Sequence, residues 1–185
     1  MSHGMDFEHY PLQVILKMEG VDKKAGKTGL VDDPNDPGGI TNWGISYRFL
    51  KGVRPHTTED TIRNLTYNDA ALLYETYFWN KIHGSAIHHY GLALFMFDMA
   101  VNMGIFAAVE IFQKSVGLRD DGIIGPKTRA ALFKDYEPDG IRKLLVDLHV
   151  RRCIYYSKLG GFNRYSRGWL RRSTEVYTIA LLSSL

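Results

Sequence analysis

The chain has 185 residues, a formal net charge of +3, 45% hydrophobic and 23% charged residues, and a single cysteine. That composition supports a packed core and excludes a disordered chain, an internal disulfide framework and a cysteine-based zinc site. The basic bias is mild and lacks the clustered Lys/Arg excess of a nucleic-acid binder, so no nucleic-acid partner is expected.

No apolar run reaches the roughly 18 residues needed to span a bilayer, which argues against stable membrane insertion. The N-terminus shows no basic region followed by an apolar stretch. The chain is therefore expected to be made in the cytoplasm, and to reach any target outside it through another component.

In chain order, residues 7–19 read as an amphipathic helix, with Leu12, Ile15, Leu16 and Glu19 at helical spacing and Gly20 as its stop. Residues 21–47 change texture. They are rich in Gly and Asp, with Pro34 and Pro37, and predict short strands and tight turns, a hairpin or small sheet. Thr66 and Asp69 form a capping-box-like start for a helix to about residue 77. Residues 91–103 are almost wholly apolar and predict a central buried helix ended by Gly104. Further helices are expected over 106–116, from Pro126 to residue 133, over 141–158 with Asp139 as cap, and over 166–182. The sum is about seven helices and one small β element, a mainly α chain of the α+β type.

Glu19 carries the strongest chemical signal. A carboxylate at a helix C-terminus meets the negative end of the helix dipole, and partial burial acts in the same direction. Both favour the protonated acid that glycosidic cleavage needs as its proton donor. The plain alternative is a solvated glutamate at a helix end. Asp32, Asp33 and Asp36 offer a second carboxylate and Thr41 a hydroxyl, though Asp in such a stretch also simply builds turns.

Trp43, Tyr47 and Tyr77 are candidate platforms for the apolar faces of sugar rings, with core packing as the default alternative. Asn102 lies one turn from Asp98 on the apolar helix. It can meet a substrate N-acetyl group or act as a structural anchor. The seven histidines are scattered and no His-Glu-x-x-His spacing occurs, so no metal site is expected. Cys153 reads as buried and inert. The Arg151–Arg152 and Arg171–Arg172 pairs read as solvated helix faces.

Met18-Glu19-Gly20 followed by DPNDPGGITNWGIS over residues 33–46 resembles glycoside hydrolase family 108. That family holds phage endolysin and N-acetylmuramidase-like proteins of the lysozyme-like superfamily. The likeness continues in FDMAVNMG at 97–104 and in DGIIGPKT at 121–128. The latter looks like the family's C-terminal peptidoglycan-binding region, where the residues themselves leave glycan binding and simple packing both open. The sequence departs from the family at Val21, where a second glycine is usual, and in an apparent insertion over residues 22–28.

The resemblance implies a lysozyme-like fold, with a catalytic region at 6–95 and a peptidoglycan-binding-like region at 96–182 packed into one unit. It implies hydrolysis of the β-1,4 bond between N-acetylmuramic acid and N-acetylglucosamine, with Glu19 as general acid. By analogy with the wider phage-lysozyme pattern, Thr41 would orient the attacking water and Asp36 would help polarise it. No cofactor is required. The expected partners are peptidoglycan glycan strands, with release through a holin pore or a secretion machine, and the protein is expected to be a monomer. A lytic transglycosylase using the same glutamate, or a non-catalytic wall-binding protein on the same fold, remain alternatives.

Overall fold

Caps and chain breakers set the element boundaries in this structure, a computed structural model that describes residues 7, 10–21, 28–32 and 38–183. The chain groups into two units, Phe7–Glu75 and Thr76–Leu185. Among the described residues there are nine α-helices and one two-stranded antiparallel sheet. The fold is mainly α and lysozyme-like, as the sequence predicts.

In the first unit, α1 (Pro11–Met18) starts at a proline, whose missing N–H falls where a helix needs none. Leu12, Ile15 and Leu16 form its buried face. The hairpin consists of β1 (Thr41–Asn42) and β2 (Ile45–Ser46), with Thr41 opposite Ser46 and Asn42 opposite Ile45. On the other edge of β1, Val31 and Thr41 exchange backbone hydrogen bonds of 2.8 and 2.9 Å.

Three short helices follow: α2 (Tyr47–Val53), α3 (Glu59–Arg63) and α4 (Tyr67–Tyr74). Each opens on a side-chain cap, from Ser46, Thr58 and Thr66 respectively. Thr66 and Asp69 form the predicted capping box, and the Thr66 hydroxyl and amide hold the Asp69 carboxyl below its usual range. Helix α2 buries only Leu50 and α3 only Ile62, so neither carries an apolar period for sequence reading to detect. Helix α4 stops at Tyr74, and the chain widens into a π turn over Glu75–Trp79 where a continuous helix is expected.

The second unit is built around α5 (Tyr90–Met103), buried without interruption from Gly91 to Ala100. A helix that is apolar on all sides has to be enclosed. Helices α6 (Ile105–Ser115), α8 (Pro138–Ser157) and α9 (Phe162–Leu182) pack on it, and α7 (Pro126–Leu132) is the short connecting helix. Gly104, with φ +88°, ends α5 and starts α6. Two boundaries differ from the sequence expectation. Helix α8 begins at Pro138 with Glu137 before it, so Asp139 is a first-turn residue paired with Arg142 at 2.8 Å and not the cap. Helix α9 begins four residues early, at Phe162.

Asp98 is the single acidic residue of α5 and is fully buried. Its Oδ2 lies 2.6 Å from Arg152 Nη2, and its Oδ1 accepts from Arg172 Nε at 2.9 Å. Burial alone would push this carboxyl up. The guanidiniums of Arg152 and Arg172 outweigh burial and hold it below the ordinary carboxylate range. Arg152 is itself wholly buried, its guanidinium 5.5 Å from the Phe95 ring centre and 5.4 Å from that of Tyr156.

Arg152 and Arg172 are therefore not solvated helix faces. Arg152 falls on the buried stripe Ile141, Leu144, Leu145, Leu148 and Tyr156, and Arg172 is only 12% exposed. Cys153, one position off that stripe, is half-exposed and not buried.

Replacing Asp98 by Asn removes the buried carboxylate that Arg152 and Arg172 both face. Asp98→Asn is expected to destabilise the fold by about 3–5 kcal/mol. The midpoint of thermal unfolding should fall by about 10 °C. Because the native carboxyl is held low, its contribution is complete above the unfolded value and drains as the pH falls through the native one. The difference between wild type and variant in urea unfolding should shrink as the pH drops below about 4.

Candidate active site

Glu19 sits at the C-terminal cap of α1, where the chain turns back on itself. The Gly20 amide donates to Lys17 O at 3.1 Å and the Val21 amide to Leu16 O at 2.9 Å, the paired bonds of a Schellman closure. Gly20 has φ +77°, and a Cβ there would meet nothing within 4 Å, so the demand for glycine is conformational and not steric. The Glu19 amide reaches both Ile15 O and Leu16 O, at 3.0 and 3.1 Å. The backbone of this half-buried residue is thus fixed from both sides.

The hairpin turn meets Glu19 directly. Trp43 and Gly44 connect β1 to β2, both with positive φ, +54° and +75°. This is the backbone hand that suits a two-residue hairpin. A Cβ on Gly44 would lie 2.7 Å from Glu19 Cγ and 2.9 Å from Glu19 Cβ, and would strike the Tyr74 hydroxyl. Only glycine leaves room for the glutamate side chain against the turn. Gly29, with φ +70°, brings the segment before β1 over the same helix end, its Cβ position 3.2 Å from Glu19 O.

The hairpin is fastened to its surroundings through Asn42, Trp43 and Tyr74. Asn42 Nδ2 donates to Ile62 O at 3.0 Å and to Arg63 O at 3.2 Å, closing the C-terminal end of α3. Trp43 Nε1 donates to Leu65 O at 2.8 Å, and the ring meets Tyr67 edge-on at 5.7 Å. The Tyr74 hydroxyl donates to Trp43 O at 3.2 Å. Asn42, Gly44 and Tyr74 belong to the site through tertiary contact. Asn42 and Gly44 stand inside the quoted motif, which was their only sequence signal.

Thr41 opens β1 in this same hairpin, and its Oγ1 is 3.5 Å from Gly39 O. Asp33 and Asp36 lie outside the described residues, as does the stretch 22–27. Asp32 is a structural residue, paired with Arg63 at 2.6 Å. Trp43 is only 8% exposed and is an interior bolt, not an open sugar platform. Tyr47 is half-buried, its ring beneath Gly39 and its hydroxyl accepting from Lys51 Nζ at 2.9 Å.

Tyr77 and Asn102 belong to the second unit. Tyr77 is half-buried in the π turn. Asn102 Oδ1 accepts from the Tyr156 hydroxyl at 2.5 Å, and Tyr156 in turn accepts from Arg152 Nε at 2.8 Å. This places Asn102 at the edge of the Asp98 network, an anchoring role.

The segment 121–128 folds around Gln113, which is 1% exposed. Gln113 Nε2 reaches Asp121 Oδ1, Ile123 O and Thr128 Oγ1 at 2.9, 3.0 and 3.1 Å, and its Oε1 accepts from the Gly122 amide at 2.9 Å. The residues that make this motif conspicuous in sequence are those that hold the loop together.

No curated protein matches the chain in sequence. Residues 12–104 match the family model described as glycosyl hydrolase 108, and residues 107–174 match one described as a predicted peptidoglycan domain. The solved structure of SagA from Brucella abortus is similar, with 30% identity and a TM-score of 0.79, over 94% of this chain and 92% of that one. Glu19 and the hairpin packed on it both lie in the stretch matched by the first of these models, which covers half of the chain: the protein belongs to glycosyl hydrolase family 108 and is a peptidoglycan-directed glycoside hydrolase.

Proposed function

We propose that the protein is a muramidase that hydrolyses the β-1,4 bond between N-acetylmuramic acid and N-acetylglucosamine. The carrying observation is the seat of Glu19. Its backbone is closed by the Gly20 turn, and its side chain is pressed on Gly44, where a methyl group would not fit. A proton donor works when its position is held within hydrogen-bond reach of the leaving oxygen, and a seat of this kind supplies that constancy. Glu19 protonates the glycosidic oxygen as the bond breaks and is left as the carboxylate.

Water attacks the anomeric carbon. Thr41, on the strand that leads into the Gly44 turn, accepts or donates a hydrogen bond to that water. Asp36 polarises it and takes up its proton, a role that rests on analogy with the wider phage-lysozyme pattern. Positive charge builds on the sugar ring in the transition state, and carboxylates near it stabilise that charge. Tyr47, packed beside Gly39, is half-buried and so partly open to a sugar ring.

Glu19→Gln should lower the rate of sacculus clearing by about 10²–10⁴-fold while sacculus binding persists. Equal clearing by wild type and variant would overturn the assignment of Glu19. Mass spectrometry of the products should show reducing muramic ends, and anhydro-muramic ends would assign a transglycosylase instead. Thr41→Val keeps the side-chain shape, and should cost about tenfold or more in rate at an unchanged thermal midpoint.

Gly44→Ala should act on both stability and chemistry, because it forces a left-handed alanine into the Glu19 side chain. A loss of about 2 kcal/mol in denaturant unfolding is expected. The clearing rate of the folded variant should fall by about 100-fold. A variant that clears sacculi at the wild-type rate would show that Glu19 does not depend on this contact.

A further inference from the structure

Two cavities of similar size open in the second unit, and their polar groups differ in one respect. The first, about 570 Å³, is lined by the 121–128 segment and Gln113, whose amide is already engaged on both its nitrogen and its oxygen. The second, about 580 Å³, lies between the end of α6, α7 and the first turns of α8. Its apolar lining comes from Val116, Ala131 and Leu144. Lys134 and Lys143 also line it. Both are exposed, and neither has a carboxylate within ion-pair distance among the described residues. Asp147, the acidic member of the lining, is compensated by Arg151 at 2.6 Å. Ser115 lines the same cavity, and its Oγ is buried with no hydrogen-bond partner among the described residues. A buried hydroxyl left in that state favours any ligand that brings a partner.

These groups select a class of ligand. Two uncompensated ammonium groups call for carboxylates. Small apolar walls suit methyl-sized side chains. A lone buried hydroxyl suits a peptide amide. A sugar is less well served, because the one aromatic ring of the lining, Tyr136, is covered by Lys134 Nζ at 5.1 Å and donates its hydroxyl to Ala131 O at 2.9 Å.

We propose that this cavity binds the acidic stem peptide of peptidoglycan, with the peptide carboxylates on Lys134 and Lys143 and a peptide amide on Ser115 Oγ. The proposal rests on the peptidoglycan reading above and deepens it. The second unit then holds the wall by its peptide, while the glycan is left to the site around Glu19.

The test is calorimetric titration of the full chain with the tripeptide L-Ala-γ-D-Glu-meso-diaminopimelate. Saturable binding is expected. Lys134→Glu combined with Lys143→Glu should weaken it about tenfold, as should amidation of the peptide's carboxylates, which requires no change to the protein. Ser115→Val should weaken both peptides alike, since it removes the amide partner and not the charge. Absence of saturable binding to wild type, or equal affinity for the free and amidated peptides, overturns the proposal. Sacculus clearing by wild type is followed in parallel. Clearing without tripeptide binding overturns the cavity assignment alone. Tripeptide binding without clearing overturns the muramidase reading alone.

Discussion

The candidate site depends on a missing methyl group. Helix α1 ends in a closure that requires a left-handed residue at Gly20, and the hairpin returns to that end through a second left-handed residue at Gly44. The two demands are of different kinds. At Gly20 there is open space, so an alanine would suffer only from its backbone conformation. At Gly44 the space is already taken by Glu19 and the Tyr74 hydroxyl. The first glycine directs the chain away after the glutamate, and the second lets the hairpin come down on it. Glutamates are flexible, and ordering one costs side-chain entropy. Here close packing on a rigid turn supplies the restraint, and the neighbouring elements hold the turn.

The second unit solves a different problem by opposite means. Its core accepts a full negative charge and a wholly buried guanidinium, groups that are costly to remove from water. Asp98 on α5 is met by Arg152 from α8 and Arg172 from α9, so one cluster joins three helices. Leucine stripes alone would permit neighbouring helices to slide by a turn. An ion triad with specific donors and acceptors permits one register, the specificity role that buried polar groups can serve. Asn102 and Tyr156 extend the network along α5. The matched families do not divide along these lines. The hydrolase model runs through α5 to residue 104, whereas α5 packs as the core of the unit that begins at Thr76.

What could be read in the sequence follows from the range of the interactions involved. Helix α5 is evident from its apolar run, α6 from its glycine boundaries, and α4 from the Thr66–Asp69 box, because each signal is local. Glu19 was visible because its closure is local as well. Gly44 looked like any turn glycine, since its contact lies 25 residues away along the chain. Arg152 and Arg172 were misread because each was weighed as part of a surface pair. The sign of their true position was the lone acid of an apolar helix, which needs a cation from elsewhere. Asn102 pointed to the same network, and its hydrogen-bond partner is a tyrosine that no spacing rule would select.

Trp43 shows how an aromatic residue beside a candidate proton donor can serve as packing. Positive φ is uncommon for a bulky residue and costs on the order of 1 kcal/mol or more. Such a conformation persists when its surroundings over-determine it. Trp43 is held at its amide by Thr28 O at 2.8 Å, at its indole nitrogen by Leu65 O, and at its carbonyl by the Tyr74 hydroxyl. These partners lie on the segment before β1, on the connection after α3, and at the end of α4. A ring offered to a substrate would have to give up the indole bond or its burial. Released from either, the strained backbone at Trp43 could relax, and the position of Gly44 against Glu19 would relax with it. The tryptophan therefore acts on Glu19 through the backbone: it holds the turn in the hand that sets Gly44 against the glutamate side chain.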